Sequence, residues 1–169
     1  IFDAGPLINL SMNGLLDILE KIKKDDMEFI ITDYVYQEVV DHPSHIPRFE
    51  LGALRIKKIV DSKVIKFATD IGLTKKDIDS ETIRMMNLAN NAIHSDGRPV
   101  EIVSLAEMSC LAVSNLLKKK KIENIIAIDE RTTRLLFEKP ISLKNIMESK
   151  LHHSLTLSTQ NIVNEGPYT

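Results

Sequence analysis

The sequence predicts an α/β fold, a parallel sheet covered by helices on both faces, and three features predict it. Short, wholly apolar runs ("IF", "EFIIT", "NIIAI") have the length and β-branched content of buried strands. Longer stretches between them carry apolar residues at helical spacing. Turn and cap residues stand at the joints between the two kinds of segment.

Taken in order, "IF" before Asp3 reads as the end of a buried strand. "PLINLSMNGLLDILEKI" follows at helical spacing, broken by Asn13-Gly14 into a first turn and a second helix. "EFIIT" is the second buried strand. Thr32 or Asp33 then caps the helix "YVYQEVVDH", which His42-Pro43 ends. "RFELGALRIKKIVD" is helical, and "KVIKFA" is a short strand whose lysines suit a sheet edge. Ser80 is offered as the cap of a helix through "ETIRMMNLANNAIH", and "SDGRPVEIV" reads as a polar loop. Ser104 opens "LAEMSCLAVSNLLKKKK", whose cationic end, Lys118 to Lys121, complements the helix dipole. "NIIAI" is a third buried strand ending at Asp129, and "ERTTRLLFEK" continues as a helix.

With 169 residues and neither an internal repeat nor a low-complexity linker, the chain is expected to form one domain over residues 1–150. Residues 151–169 are a C-terminal extension without an assignment. The opening lacks Met and already lies in a strand-like pattern, so a few upstream residues are expected. Aromatics at 5% with no Trp exclude base-stacking platforms. A net charge of -2 means that any nucleic-acid contact must be local rather than a broad basic face. Cys110, the single cysteine, falls in an apolar periodic run and reads as a core residue in a reducing, cytoplasmic compartment. No apolar run approaches the ~20 residues that cross a bilayer, and no membrane association is expected.

Four acids stand out. Ligands of open parallel sheets gather at the carboxyl edge of the strands. Asp3 and Asp129 each follow an apolar strand directly, and Glu38 and Glu107 lie in the early turns of helices that lead away from that edge. Four carboxylates brought together resist ionising, and a hard divalent cation, Mg²⁺ or Mn²⁺, relieves this through oxygen ligands. Such a cation also stabilises charge developing on a phosphodiester. Each acid has a purely structural reading as well. Glu107 completes an S-x-x-E capping box with Ser104, Asp129 is an N-cap for "ERTTRLL", Asp3 caps the turn "AGPL", and Glu38 is a solvated helix residue. Arg131 and Arg134 suit phosphate contacts, or an ordinary exposed helix face. Asn9 adds a polar group to the site or satisfies a turn. Phosphate-loop, dinucleotide and nucleophile-elbow motifs are absent from the sequence.

These segments resemble the PIN domain family. "FDAGPLINL" is similar to the opening of its Asp-x-Gly/Ser-Pro-Leu-Ile subgroup, and "FIITDYVYQEVV" to its second block. "AEMSCLAVSNLL" and "IIAIDERTTRLL" are similar to its third and fourth. The resemblance implies a three-layer α/β/α sandwich with a central parallel sheet. It implies an endoribonuclease using Mg²⁺ or Mn²⁺ held by Asp3, Glu38, Glu107 and Asp129, with RNA contacts from Arg131 and Arg134. It also implies, for many members, a homodimer and a toxin role, with a protein inhibitor (the antitoxin) reaching into the site. The chain departs from the pattern where Ser104-Leu105 replace a Gly-Glu, where Gly5 replaces a common serine, and in its long middle region, 41–103. The rival from another class is a catalytically inactive module of the same fold that binds RNA or a protein partner. A small-molecule phosphohydrolase is a second.

Overall fold

A computed structural model describes residues 1–158. The end of the extension expected over 151–169 lies outside the described residues.

The centre of the molecule is a parallel arrangement of short apolar segments. Strand β1 (Phe29–Ile31) pairs in parallel with β2 (Ile65–Phe67), in the register Phe29 with Ile65 and Ile31 with Phe67. On the other side of β1 runs the chain start, where the Phe2 amide donates to the Ile30 carbonyl at 2.8 Å. The same segment is bridged in parallel to Ala127, with the Asp3 amide donating to the Ala127 carbonyl at 2.9 Å. The spatial order is therefore β2, β1, residues 1–3, residues 125–127, and β2 sits at an edge, as its lysines predict. The expected third strand over "NIIAI" is reduced to the single Phe2–Ala127 bridge. Ile125 is 83% exposed, so no neighbour covers it.

Helix α1 (Ala4–Met12) leaves the sheet immediately after Asp3, and α2 (Asp17–Ile22) follows the break at Asn13-Gly14, where Gly14 has φ of 68°. Helix α3 (Asp33–Tyr36) is capped by Thr32, whose hydroxyl accepts from the Val35 amide at 3.1 Å. It widens into a π-helical turn, Gln37–Asp41, before Pro43 starts a 3₁₀ turn. Helix α4 (Pro47–Asp61) packs on α1, and α5 (Lys75–Asn90) on α6 (Leu105–Lys119). The cap of α5 is Thr74, not Ser80: its hydroxyl accepts from the Asp77 amide, and Ser80 lies inside the helix. An earlier cap wins because Lys75 to Asp79 already support helical hydrogen bonding once Thr74 satisfies the first turn.

The stretch read as a polar loop is a hairpin. β3 (Ile93–Ser95) pairs antiparallel with β4 (Arg98–Pro99) across Asp96-Gly97, both at positive φ (50° and 74°). Asp-Gly is the dipeptide that a tight mirror-image turn requires. Helices α7 (Arg131–Glu138) and α8 (Pro140–Leu151) pack together, and β5 (Thr156–Leu157) returns to pair with β3. Leu155, beside β5, is buried in the common core with Ile31, Ile65, Met108 and Leu136. Cys110 is fully buried, as its run predicts. Among the described residues no helix is long and apolar enough to cross a membrane.

Candidate active site

Asp3 is the best-defined member of the site. It occupies the N-cap position of α1 in extended geometry, yet its side chain makes no capping hydrogen bond. The residue is only 4% exposed, and its Oδ1 has no hydrogen-bond partner. A buried carboxylate oxygen without a donor is costly, so its presence requires a reason. Burial pushes its pKa up to about 6, against the pull of the Ala4 amide, and the charges of Glu107, Glu38 and Asp129 push the same way. The reading of Asp3 as a turn cap therefore fails, and the other three acids reach it electrostatically.

Glu107 is half-buried and does complete the capping box. Its amide donates to Ser104 Oγ at 3.2 Å, and its Oε2 accepts from the Ser104 amide at 3.1 Å. The same Oε2 accepts from the Thr133 hydroxyl at 2.6 Å. Burial raises its pKa, helped by the charges of Glu130 and Glu38 and opposed by those hydrogen bonds. Both of these bonds fall on Oε2.

Asp129 is not the cap of α7. Glu130 takes that position, its Oε1 accepting from the Thr132 amide at 2.8 Å. Freed from capping, the exposed Asp129 carboxylate lies against α1. Its Oδ2 accepts from Asn9 Nδ2 at 2.9 Å, and a Cβ at Gly5 would overlap the carboxylate outright. Gly5 is thus the notch into which Asp129 fits. Glu38 is exposed on the π-helical turn, a local geometry that often marks functional positions.

Arg131 and Arg134 are both exposed in the opening turns of α7, where Arg134 pairs with Glu138 at 3.4 Å. Hydrogen bonds from the Thr132 backbone and side chain hold the Glu130 carboxyl below its usual range, with a smaller pull from Lys150 of α8. Of the cationic run, Lys119 pairs with Glu81 and Lys120 donates to the Gly72 carbonyl, as an ordinary helix end would.

A family model of the PIN domain matches residues 1–139. The chain belongs to the PIN domain family. No curated protein and no solved structure matches it. PIN domains are generally nucleases that depend on a divalent metal. The match contains all six residues singled out from the sequence and stops where α8 begins.

Whether these side chains fit such a metal depends on the donor set and its state. The donors are all carboxylate oxygens, which suits a hard cation, and Asp3 Oδ1 is a buried acceptor lacking its charge partner. Among the described residues, however, no three His, Cys, Asp or Glu side chains converge at ligating geometry. Asp129 is held by Asn9, and Glu107 by Ser104 and Thr133. Sequence reasoning missed two contributors, Thr133 and the notch at Gly5. Thr133 lies in the first turn of α7, and no local pattern in the sequence marked it for contact with Glu107.

Proposed function

We propose that this PIN domain is a metal-dependent endoribonuclease, with Asp3, Glu38, Glu107 and Asp129 holding Mg²⁺ or Mn²⁺ at the carboxyl edge of the parallel segments. The observation that carries this is the buried, unpartnered Oδ1 of Asp3, surrounded by the charges of three further acids. When bound, a divalent cation there supplies charge neutralisation at the phosphoryl oxygens and a water of lowered pKa.

The chain's own residues divide the remaining work. Asp3, buried at the start of α1, would hold the cation, whose charge would answer that of its carboxylate. Asp129, whose carboxylate Asn9 steadies, would be a second oxygen donor. Glu107 and the exposed Glu38 would supply the remaining carboxylate oxygens. Arg131 and Arg134 bind flanking phosphates of an RNA strand laid along the open edge. The same reading takes the fold as a three-layer α/β/α sandwich, supported by the packing of α1 on α4 and of α5 on α6. A toxin role with an antitoxin partner, and a homodimer, belong to this proposal through the family resemblance.

The lack of ligating convergence among the described acids favours one second reading, an inactive PIN module that binds RNA or protein. Calorimetric titration with Mn²⁺ on the wild type and Asp129→Asn, paired with cleavage of a labelled single-stranded RNA, separates the two. Stoichiometric binding that collapses in the variant, with metal-dependent cleavage, supports the nuclease. RNA retained uncut in the presence of millimolar Mn²⁺ supports the inactive module.

A further inference from the structure

Helix α6 bears Glu107, and α7 begins two residues after Asp129. A partly buried hydrogen bond joins α6 and α7. Thr133 is 2% exposed, and its hydroxyl donates to Glu107 Oε2 at 2.6 Å, across a sequence separation of 26 residues. The Ser104 amide donates to the same oxygen at 3.1 Å. Neither bond uses Oε1. With the carboxylate fixed at one oxygen by two donors from different elements, its rotation is restricted and the other oxygen is presented in a single direction.

We propose that Thr133 is a positioning residue of this site, its hydroxyl orienting the Glu107 carboxylate and tying the helix after Asp129 to the helix that carries Glu107. The inference rests on the nuclease reading above, and it assigns Thr133 no contact with substrate or metal. Groups that orient a ligating carboxylate in this way typically change metal affinity or activity by about 10–100-fold when removed. Capping alone would not account for Thr133, because the Ser104 box is complete without it. A serine retains the donor but lacks the methyl, whereas valine retains the branched shape but lacks the donor.

The test compares Thr133→Val and Thr133→Ser with the wild type in Mn²⁺ calorimetry, in RNA cleavage and in the carboxyl-carbon NMR resonance of Glu107 in the metal-free protein. Valine is expected to weaken Mn²⁺ binding and cleavage by about 10-fold or more, and to move the Glu107 resonance. Serine is expected to restore all three to near the wild type. Wild-type Mn²⁺ affinity in the valine variant overturns the proposal, as does a serine variant that behaves like valine, since packing would then be the cause. If valine does not fold, Thr133→Ala takes its place against the same serine rescue. If the wild type neither binds Mn²⁺ nor cuts RNA, the nuclease reading fails by itself. The Glu107 resonance then still decides: movement with valine and recovery with serine keeps the positioning role, and no movement overturns it.

Discussion

The two edges of the parallel segments differ sharply. At one edge lies a cavity of about 1060 Å³, walled by Ile1, Phe2, Phe29, Ile30 and Ile122, with Glu28 and Lys118 at its margin. At the other lie Asp3, Glu38, Glu107 and Asp129. The roomy edge has apolar walls, and the charge on Glu28 is answered by Lys23 at 3.0 Å and Lys66 at 2.6 Å. The acidic edge has the opposite character: a buried carboxylate with an unpartnered oxygen and its pKa pushed up. Cavity size alone directs attention to the apolar end, away from the candidate site. Uncompensated charge is the better guide here, because an RNA strand needs an open ledge while a cation needs donors that nothing else satisfies.

The largest effect that sharpens this contrast is expected from Asp3→Asn. Mn²⁺ binding and any RNA cleavage should fall by about 10³-fold or more, following the rule that ligands outweigh the residues that support them. The same variant should melt higher than the wild type at pH 7 without metal, since it removes a buried charge. A variant that loses both activity and stability would instead mark Asp3 as structural.

Gly5→Ala comes next. The added methyl meets only the end of a flexible side chain, the Asp129 carboxylate, so the fold should persist while that carboxylate is displaced. Mn²⁺ affinity should drop about 10–100-fold, read by calorimetry beside an unchanged circular dichroism spectrum. Unchanged affinity would show that Asp129 contributes nothing from its notch.

The pH dependence of the metal-free protein follows from Asp3. Its folded pKa, about 6, lies above the ordinary 3.8, so the folded chain holds the proton more tightly than the unfolded one. The stability contributed is complete below about pH 3.8 and is lost as pH rises through about 6. The full difference is roughly 3 kcal/mol. Glu107, also raised, acts in the same direction. Thermal melting between pH 4 and 7 should show this decline, and Asp3→Asn should flatten it. A melting curve that rises across that range in wild type, with no difference in the variant, would contradict the burial of Asp3.

Asn9→Ala removes one exposed hydrogen bond to Asp129 and should weaken Mn²⁺ binding only about 3–10-fold. At the other edge, Ile125→Ser alters an 83% exposed side chain and should leave Mn²⁺ affinity and cleavage within about 2-fold of the wild type. A large loss there would join the two edges functionally and end the comparison.

Much of the site was legible before folding. Asp3 and Asp129 stand directly after apolar runs, and Glu107 follows its cap residue by three, so local pattern alone located them. Which role each acid plays was not legible, because capping and ligation use the same residue types. Asp129 was expected as the cap, yet Glu130 took the Thr132 amide. The Ser80 cap failed for a similar reason: Thr74 lies one turn and a half earlier and serves equally well by composition. The Asp96-Gly97 hairpin was legible in principle, since the dipeptide demands that turn, but its flanks lack apolar alternation.

Periodicity, strand length and turn chemistry are properties of neighbouring residues, so the sequence by itself determined the α/β alternation, the buried parallel segments and the positions of Asp3 and Asp129 at their ends. Contacts across long separations have no such local signature. Only the tertiary structure decided that Gly5 makes room for Asp129, that Asn9 holds it, that Thr133 fastens Glu107, and that the Asp3 carboxylate is buried with one oxygen unanswered.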